Sequence, residues 1–338
     1  MAGTIPFAIA KVSVVITCHN CANYVGEAIR SVARQTLGGF DCVIVDDAST
    51  DESFKIIRQT LDELGDARFA VIRLATNLGQ TGASRAGLKH GSAPFVCFLD
   101  ADDVWSESFL ERHLAAHMNE TYAVGFTACN ARIIDGDGVL IAGTVYWFGQ
   151  DRSESERDRE FVALDAARVP SFEPGKAIMW QPRGSWRLYT RRSVQWVWVS
   201  TSSMMFRRSL VDLVFPADDE AFRLHMDFYL VIMAQMVAGC LLIDDPLYAY
   251  RLHGRNFAAS NPVLGGRLHL APRDLRATYD DMLDRMRAAM LHDRERFEGA
   301  LGADQYREIV RTIQAGRRPA PGLLARLSSR LFGHRAGG

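Results

Sequence analysis

The sequence predicts an α/β protein in which a mainly parallel sheet is flanked by helices and followed by a helical C-terminal appendage. From residue 11 to about residue 131, apolar runs of strand length alternate with segments of helical periodicity. That alternation is the pattern of consecutive βαβ units, whose strands run parallel. From about Pro272 onward, Arg, Leu and Met recur at helical spacing, which predicts the appendage.

The same pattern gives approximate bounds for each element. The predicted strands of the first half are VSVVIT, CVIVDD, FAVIRL, PFVCFLD and AVGFTAC. The predicted helices between them cover residues 24–35, 52–64, 81–90 and 107–118. In the second half, VWVSTSSMMF predicts a strand, residues 220–237 a helix, and CLLID a strand that leads to YAYRLHGRN.

The middle of the chain has a different composition. Residues 151–160 are a dense run of both charge signs, and Pro, Gly, Arg and Trp residues follow up to about residue 198. Long structureless segments in compact domains are usually lids or binding loops. We therefore expect either a long loop over the ligand-binding face or a disordered surface insertion.

Bulk composition excludes some classes of protein. The 338 residues are 48% hydrophobic and 23% charged, which is enough to bury a sizeable core. The formal charge is −1 and the two signs are mixed along the chain, so no nucleic-acid partner is predicted. The first ten residues lack a basic n-region, and the apolar stretch 230–243 is too short to span a bilayer. With the six Cys taken as reduced thiols, these features predict a soluble cytoplasmic protein.

Polar residues end four of the predicted strands, in segments 17–20, 46–51, 77–81 and 100–103. In open α/β sheets, ligands bind beyond the carboxyl ends of the strands. These segments are therefore the first candidates for a functional site.

The most informative of them is FVCFLDADD, where an apolar strand runs into Asp100, Ala101, Asp102 and Asp103. Three carboxylates so close together repel one another unless a cation lies among them. Oxygen ligands at a strand end suit Mg²⁺ or Mn²⁺, with substrate phosphates completing the coordination. The alternative is a helix N-cap, but a cap needs one aspartate and not three.

The second acidic strand end is VIVDDASTD, in which Ser49 or Asp51 is explained as a helix cap. Asp46 and Asp47 are not explained in that way. A carboxylate there could accept an imide or amide N–H from a nucleobase, a discriminating contact because an unpaired buried acceptor costs about 1–3 kcal/mol.

These segments resemble the signatures of family 2 glycosyltransferases, inverting enzymes with a GT-A fold. The resemblance covers about residues 11–256 in order, through VSVVITCHN with Tyr24, DDASTD, NLGQTGASRAG, LDADD, STSSMMFRRSLV, HMDFYL and YRLHGRN. Three positions depart from the usual pattern: His19 stands in place of Tyr, Ala86 in place of Asn, and Met226 in place of the Glu before the catalytic Asp.

The resemblance implies a donor-binding site, made by Thr17, His19, Asn20, Asp46, Asp47, Asn77, Gly79, Arg85, Asp100, Ala101, Asp102 and Arg251. In the family, the position of Asp47 meets the base, and Thr17 would line the pocket for base and ribose. Arg85 would contact a phosphate or the sugar. Arg251 would lie near the pyrophosphate or the metal.

The resemblance also implies a metal site and a general base. Asp102 and Asp100 form the DxD motif, and with His253 they would bind the divalent cation, Mn²⁺ or Mg²⁺. Asp227 stands at the position of the catalytic base. If Asp227 is not the base, the Asp218, Asp219 and Glu220 cluster is the fallback, although its simpler interpretation is a helix N-terminus.

The implied function is transfer of a sugar from a nucleotide-diphosphate sugar to a hydroxyl acceptor with inversion. UDP-sugar is favoured as donor through the resemblance alone, and a glycan or glycolipid acceptor in cell-surface synthesis is an expectation of the same kind. Residues 1–260 would form the GT-A domain, with a nucleotide-sugar half up to about residue 131 and an acceptor half, 132–260, that contains the variable loop 145–198. Residues 261–338 would form the helical extension.

Other interpretations remain open at this stage. The chain could be a non-catalytic nucleotide-sugar-binding or scaffold protein with the same fold. Cys18 and Cys21 have the C-x-x-C spacing of a redox centre, but nothing else in the sequence supports that chemistry. The four Trp residues at 180, 186, 196 and 198 either stack on an acceptor sugar or pack in the core.

The C-terminal segment PGLLARLSSRLFGHR has a basic amphipathic pattern. One hypothesis is that it touches the inner face of a membrane, where a lipid-linked acceptor resides. The other is that the C-terminal helices pack on the body of the protein or form a homodimer.

Overall fold

The computed structural model describes residues 11–119, 121–145, 161–164, 168–170, 180–182, 186–189, 192–194, 196, 198, 200–217, 220, 222–253 and 274–316. The chain divides into two compact units, residues 1–271 and 272–338. The first unit contains the sheet, and the second contains the last three helices.

The first part of the sheet is built from βαβ units. Its elements are β1 (Val12–Cys18), α1 (Val25–Ala33), β2 (Phe40–Asp46), α2 (Ser53–Leu64), β3 (Phe69–Arg73), α3 (Gly79–His90) and β4 (Phe95–Asp100). The strands are parallel and lie in the order β3-β2-β1-β4. The predicted alternation is thus found in this region, with helix ends within about two residues of those expected.

The second part continues the sheet with mixed strand directions. Its elements are β5 (Val104–Trp105), α4 (Phe109–His117), β6 (Phe126–Ile134), β7 (Leu140–Val145), β8 (Phe161–Leu164), β9 (Arg168–Pro170), β10 (Trp180–Pro182), β11 (Trp186–Tyr189), β12 (Met204–Arg207), α5 (Arg208–Val214), α6 (Met226–Val237) and β13 (Cys240–Arg251). The full order of the described sheet is β3-β2-β1-β4-β12-β6-β13-β11-β8, with β5 on β13 and β7 on β6. Strand β12 is antiparallel to both of its neighbours.

The central strands are continuous apolar runs because both of their faces are covered. In β1, successive residues point to opposite faces, yet Val12, Val14, Val15 and Ile16 are all almost completely buried. Helices α1, α2 and α3 pack on these strands. This core fixes β1 rigidly, and β1 carries the first of the polar strand ends.

Strand register brings three polar ends to one edge of the sheet. Thr17 pairs with Val45 on one side and with Asp100 on the other. Cys18 pairs with Asp46, the last residue of β2. Because parallel strands end at the same edge, the segments that follow β1, β2 and β4 lie side by side.

The segment VWVSTSSMMF is not a single strand, which differs from the expectation. Thr201–Ser203 form one turn of 3₁₀ helix, and the strand begins only at Met204. Both the backbone N–H and the hydroxyl of Ser203 donate to the Ser200 carbonyl, at 3.0 and 2.6 Å. Serine side chains compete with strand pairing through such local hydrogen bonds, so the run of Ser and Thr shortens the strand.

The variable segment 145–198 was expected to be a loop or a disordered insertion. Those parts of it that the structure describes include four short strands. Strands β8 and β11 extend the main sheet beside β13, and β9 pairs with β10. Trp186 and Trp198 are core residues, each about 2% exposed, and Trp198 donates through Nε1 to Gln235 at 2.8 Å. The charged run 151–160 and the side chain of Trp180 lie outside the described residues.

The second unit is helical, as predicted, with α7 (Asp274–His292), α8 (Arg294–Leu301) and α9 (Ala303–Gly316). Its core contains Met290, Phe297, Tyr306 and Ile309, and the Tyr306 hydroxyl donates to the Met290 carbonyl at 3.1 Å. The amphipathic segment from residue 321 onward lies outside the described residues. In the part of the chain that the structure describes, no helix has the length and apolar character needed to cross a bilayer.

Replacement of Gly87 by Ala tests the packing of α3 on β1. A Cβ at Gly87 would come within 2.3 Å of Cγ1 of the buried Val15. Overpacking in Gly87→Ala should lower the free energy of unfolding by about 1–3 kcal/mol. The higher helix propensity of Ala should offset up to about 1 kcal/mol of that loss. Urea unfolding followed by circular dichroism measures the change. Gly39→Ala is the control, since nothing lies within 4 Å of its Cβ position; equal stability of the two variants would contradict this packing.

Candidate active site

The turn after β4 gathers the acidic residues at the sheet edge. The Ala101 N–H donates to the Thr17 carbonyl at 3.2 Å, and the Asp103 N–H donates to the Asp100 carbonyl at 3.1 Å. Ala101 is buried and anchors the turn. The side chains on either side of it, Asp100 and Asp102, are half-buried.

Asp100 is held by two side chains from distant parts of the chain. Gln80 donates through Nε2 to its Oδ1 at 3.2 Å, and Ser202 donates to its Oδ2 at 3.5 Å while accepting the Asp100 N–H at 3.2 Å. Burial, followed by the charges of Asp102 and Asp227, raises the pKa of the Asp100 carboxyl to about 7. Asp227 therefore lies close enough to Asp100 for their charges to interact.

Asp102 is paired with His253. The imidazole Nε2 and the carboxylate Oδ2 are 2.9 Å apart, within hydrogen-bonding distance. The ring of Tyr24 stacks on His253 with centroids 4.7 Å apart. The structure thus brings His253, from the end of β13, to the acidic turn after β4.

Arg251 and Asp103 are buried behind this pair. The Arg251 guanidinium donates through Nε to the Asp102 carbonyl at 2.8 Å and through Nη2 to Glu27 at 2.5 Å. The backbone N–H of Arg251 donates to Asp103 Oδ1 at 3.1 Å. Burial, followed by the charges of Asp102 and Asp100, raises the pKa of the Asp103 carboxyl well above its usual range. The hydrogen bond from the Arg251 N–H to Asp103 connects β13 to the turn.

The side chains of Asp100, Asp102 and His253 fit a divalent cation whose coordination is completed by other ligands. Among the described residues, no group of three or more His, Cys, Asp or Glu is arranged to hold a metal ion by itself. Asp100, Asp102 and His253 nevertheless converge, and burial, followed by the charges of the neighbouring carboxylates, raises the pKa of Asp100. Mg²⁺ and Mn²⁺ sites commonly have one or two carboxylates, with water and phosphate oxygens as the remaining ligands.

Asp47 caps helix α3 from the end of β2. Its Oδ1 accepts the Leu78 N–H at 2.7 Å and its Oδ2 accepts the Gly79 N–H at 2.8 Å. Gly79 has φ +74°, and a Cβ there would lie 2.6 Å from the Arg223 carbonyl oxygen. Only glycine fits this position, where the turn before α3 meets the segment before α6. Asn77 belongs to the same junction, since its Oδ1 accepts from Arg223 at 2.5 Å.

Asp46 is completely buried beside Arg73, with 3.2 Å between Oδ2 and Nε. Arg73 also donates to the Ser49 carbonyl at 3.3 Å. A cavity of about 360 Å³ lies next to this pair, lined by Ala48, Ser49, Arg73, Leu74 and Ala75. The cavity is at the carboxyl ends of β2 and β3, where the sequence predicts the nucleobase.

His19 and Asn20 form the loop after β1. Asn20 has φ 55°, its N–H donates to Ser49 Oγ at 3.0 Å, and its Oδ1 accepts the Thr50 N–H at 2.9 Å. His19 Nδ1 lies 2.7 Å from the Asp47 carbonyl oxygen. These contacts fasten the β1 loop to the β2 loop, and Thr17, half-buried, precedes them in β1.

Asp227 is in the first turn of helix α6, where its Oδ1 accepts the Phe228 N–H at 2.6 Å. Burial raises the pKa of the Asp227 carboxyl above its usual value, which brings it toward the range of a general base. The half-buried ring of Trp196 stacks on Phe228 with centroids 6.1 Å apart. Glu220 of the fallback cluster pairs with Arg223, and Asp218 and Asp219 lie outside the described residues.

Arg85 is placed elsewhere. Its guanidinium donates to the Pro216 carbonyl and lies 5.0 Å from the ring of Phe215. These contacts hold Arg85 against the segment that follows α5. Its donor contact stays a prediction.

The cysteine pair does not resemble an activated redox centre. All six cysteines are free, and Cys18 is buried. A hydrogen bond between the Cys21 thiol and Cys18, then burial and the charge of Asp102, raise the pKa of the Cys21 thiol far above its usual value. Reactive thiols have lowered pKa values, so this environment argues against a redox role for the pair.

The sequence did not single out Glu27, and it did not reveal the contacts that Gln80, Ser202 and Tyr24 make, although these three belong to segments quoted above. The partners of Glu27 and Ser202 lie 224 and 102 positions away in the chain, so spacing could not reveal these contacts.

Comparison with known proteins gives consistent results. An uncharacterized glycosyltransferase of Nostoc is 30% identical over 246 residues, which cover 73% of this chain and 66% of that relative. A UDP-Glc:α-D-GlcNAc-diphosphoundecaprenol β-1,3-glucosyltransferase of Escherichia coli is 28% identical over 130 residues, covering 38% of this chain and 49% of the relative. The matched segments thus span about two thirds and about half of the lengths of these relatives.

A solved structure supports the fold. The mannosyltransferase from Pyrobaculum calidifontis in complex with GDP-Man and Mn²⁺ superposes with a TM-score of 0.53 at 15% identity, covering 97% of this chain and 82% of that chain. At this identity the likeness shows the fold alone, and the GT-A expectation is confirmed.

The family itself follows from the sequence. The model for glycosyl transferase family 2 matches residues 13–212, which is more than half of the 338 residues and extends from β1 into α5. The chain belongs to glycosyl transferase family 2.

Proposed function

We propose that the protein is a metal-dependent, inverting glycosyltransferase that moves a sugar from a UDP-sugar to a hydroxyl acceptor. The observation that carries this proposal is the convergence of Asp100, Asp102, His253 and Asp227, contributed by three separate segments, at one edge of the sheet. A scaffold protein would not need four titratable groups clustered in this way.

The donor side is supported by the geometry of the strand ends. The cavity beside Arg73 and the loops held by Asp47 and Asn20 provide a place for a nucleoside next to the acidic turn. The choice of UDP is supported by the Escherichia coli relative, whose name specifies UDP-Glc, whereas the solved neighbour contains GDP-Man.

Asp100, Asp102 and His253 are the proposed ligands of the divalent cation. When bound, the cation would neutralise the charge that grows on the departing nucleoside diphosphate. Gln80 and Ser202 orient the Asp100 carboxylate through their hydrogen bonds. Tyr24 holds the plane of the His253 imidazole.

Asp227 is the proposed general base. Its carboxylate would accept the proton of the acceptor hydroxyl as that oxygen attacks the anomeric carbon from the side opposite to the leaving group, which inverts the configuration. The raised pKa of Asp227 and its position at the edge of the acidic cluster support this role. Such proton transfer contributes about 10²–10⁴-fold to the rate.

The acceptor is proposed to be a glycan or a lipid-linked sugar of the cell surface. The name of the Escherichia coli relative specifies a diphosphoundecaprenol-linked acceptor. A cytoplasmic protein that contacts the inner face of the membrane would fit such an acceptor.

Liposome binding of the protein with and without residues after Ala320 separates this proposal from a homodimer formed through the C-terminal helices.

Removal of the Asp102 carboxylate should abolish metal-dependent nucleotide binding. Isothermal titration calorimetry with UDP, GDP and dTDP, each with and without Mn²⁺, measures this in the wild type and in Asp102→Ala. We expect UDP binding that Mn²⁺ strengthens in the wild type alone. Asp62→Ala, an exposed aspartate on α2, is the control. If no nucleotide binds to the wild type, the proposed function is wrong and a scaffold role replaces it.

Asp227→Asn should slow turnover by about 10²–10⁴-fold and leave donor binding nearly unchanged, because the amide cannot accept the proton. Release of UDP from the donor in the presence of acceptor measures turnover, and calorimetry measures the affinity for UDP with Mn²⁺. Asp212→Asn, an exposed aspartate on α5, should behave as the wild type. Full activity of Asp227→Asn would mean that another residue is the base.

A further inference from the structure

Helix α1 is linked to the acidic turn through four side chains. Tyr24 and Glu27 are at the start of α1, and Arg251 and His253 are at the end of β13. These four residues are called the α1 brace below. Two of them contact Asp102: Arg251 at its backbone carbonyl and His253 at its carboxylate.

The guanidinium of Arg251 is occupied by protein acceptors. Its Nε donates to the Asp102 carbonyl at 2.8 Å, and its Nη1 donates to the carbonyls of Asp135 and Gly136 at 3.3 and 3.4 Å. Its Nη2 donates to Glu27 at 2.5 Å. The side chain is 2% exposed. A planar fork with this many contacts fixes three chain segments relative to one another.

The charge of Arg251 makes Glu27 important. A buried cation that loses its partner keeps the full cost of desolvation, so removal of one member of such a pair is strongly unfavourable. Glu27 provides a carboxylate for this purpose, and its own side chain is half exposed. The pair therefore anchors the acidic turn to a rigid helix at little cost in burying Glu27.

Tyr24 extends the same link to His253. The Arg251 guanidinium lies 5.0 Å from the centre of the Tyr24 ring, and this ring stacks on His253. The turn that contains Gly136 lies close to both side chains, since a Cβ at Gly136 would lie 3.4 Å from the Tyr24 hydroxyl and 3.8 Å from His253 Cβ. The imidazole is thereby held in the orientation that meets Asp102.

We propose that Glu27 and Arg251 are positioning residues: through the α1 brace they set the geometry of Asp102 and His253 for the cation that joins the donor. This inference rests on the proposed function, because it assumes that Asp102 and His253 bind the cation. In this proposal Arg251 does not contact the donor pyrophosphate directly. It acts on the residues that bind the cation. Groups in such positions typically change metal affinity about 10–100-fold when they are removed.

The experiment compares Glu27→Ala and Glu27→Gln with Glu63→Ala. Glu63 is the matched control, because it pairs with Arg30 of α1 at 2.6 Å but both side chains of this pair are exposed, Arg30 at 44% and Glu63 at 63%. Glu27 is chosen in preference to the buried Arg251, whose replacement could prevent folding. The probe is UDP with and without Mn²⁺, titrated by calorimetry, and hydrogen exchange followed by mass spectrometry reports on the turns at residues 100–106 and 135–139.

Glu27→Ala should weaken Mn²⁺-dependent UDP binding about 10-fold or more and leave metal-free UDP binding unchanged. It should also speed exchange in both turns, while exchange in β1 and β2 stays the same. Glu27→Gln, which keeps an oxygen acceptor for Arg251, should recover part of both losses. Glu63→Ala should match the wild type.

Unchanged exchange in the two turns of Glu27→Ala would overturn the positioning role, whatever the nucleotide results. Equal loss of UDP binding with and without Mn²⁺ would also overturn it, because that pattern reports a general structural defect. If the wild type binds UDP independently of Mn²⁺, the proposed metal-dependent function fails, and the exchange data still decide whether Glu27 holds the turns.

Discussion

Repulsion among carboxylates at the carboxyl end of β4 is the constraint on which the rest of the described site depends. Asp100, Asp102 and Asp103 follow one another within four residues, and Asp227 is near enough to raise the pKa of Asp100 further. Such a cluster is tolerated only when donors and cations surround it. The surrounding structure provides donors from several elements, and the proposed cation would complete the compensation.

Those donors act at two levels. Gln80 and Ser202 hold the Asp100 side chain itself, whereas Arg251 holds the backbone of the turn and is neutralised by Glu27. The first level orients a carboxylate, and the second fixes the loop that carries it. A site built in this way is organised without a ligand, and preorganisation would lower the cost of placing these residues around the proposed cation and pyrophosphate.

Much of the fold could be predicted from the sequence, but the partners in the site could not. The βαβ alternation of the first half, the helical C-terminal unit and the GT-A class agree with the structure, because periodicity and apolar runs are local properties. The 3₁₀ turn at Thr201–Ser203 and the short strands between residues 161 and 189 were missed. In these segments side-chain hydrogen bonds and edge pairing decided the backbone, and neither leaves a periodic pattern.

The sequence by itself determined where the acidic strand ends are and which family they belong to. Only the tertiary structure decided what surrounds them: Asp47 meets the start of α3 across 31 positions, and Glu27 meets Arg251 across 224. The physical reason is that strand ends are encoded by neighbouring residues, whereas the partner of a buried charge depends on how the sheet orders its strands. Parallel register placed β1, β2 and β4 level with one another, and the end of β13 then delivered Arg251 and His253 to the same edge.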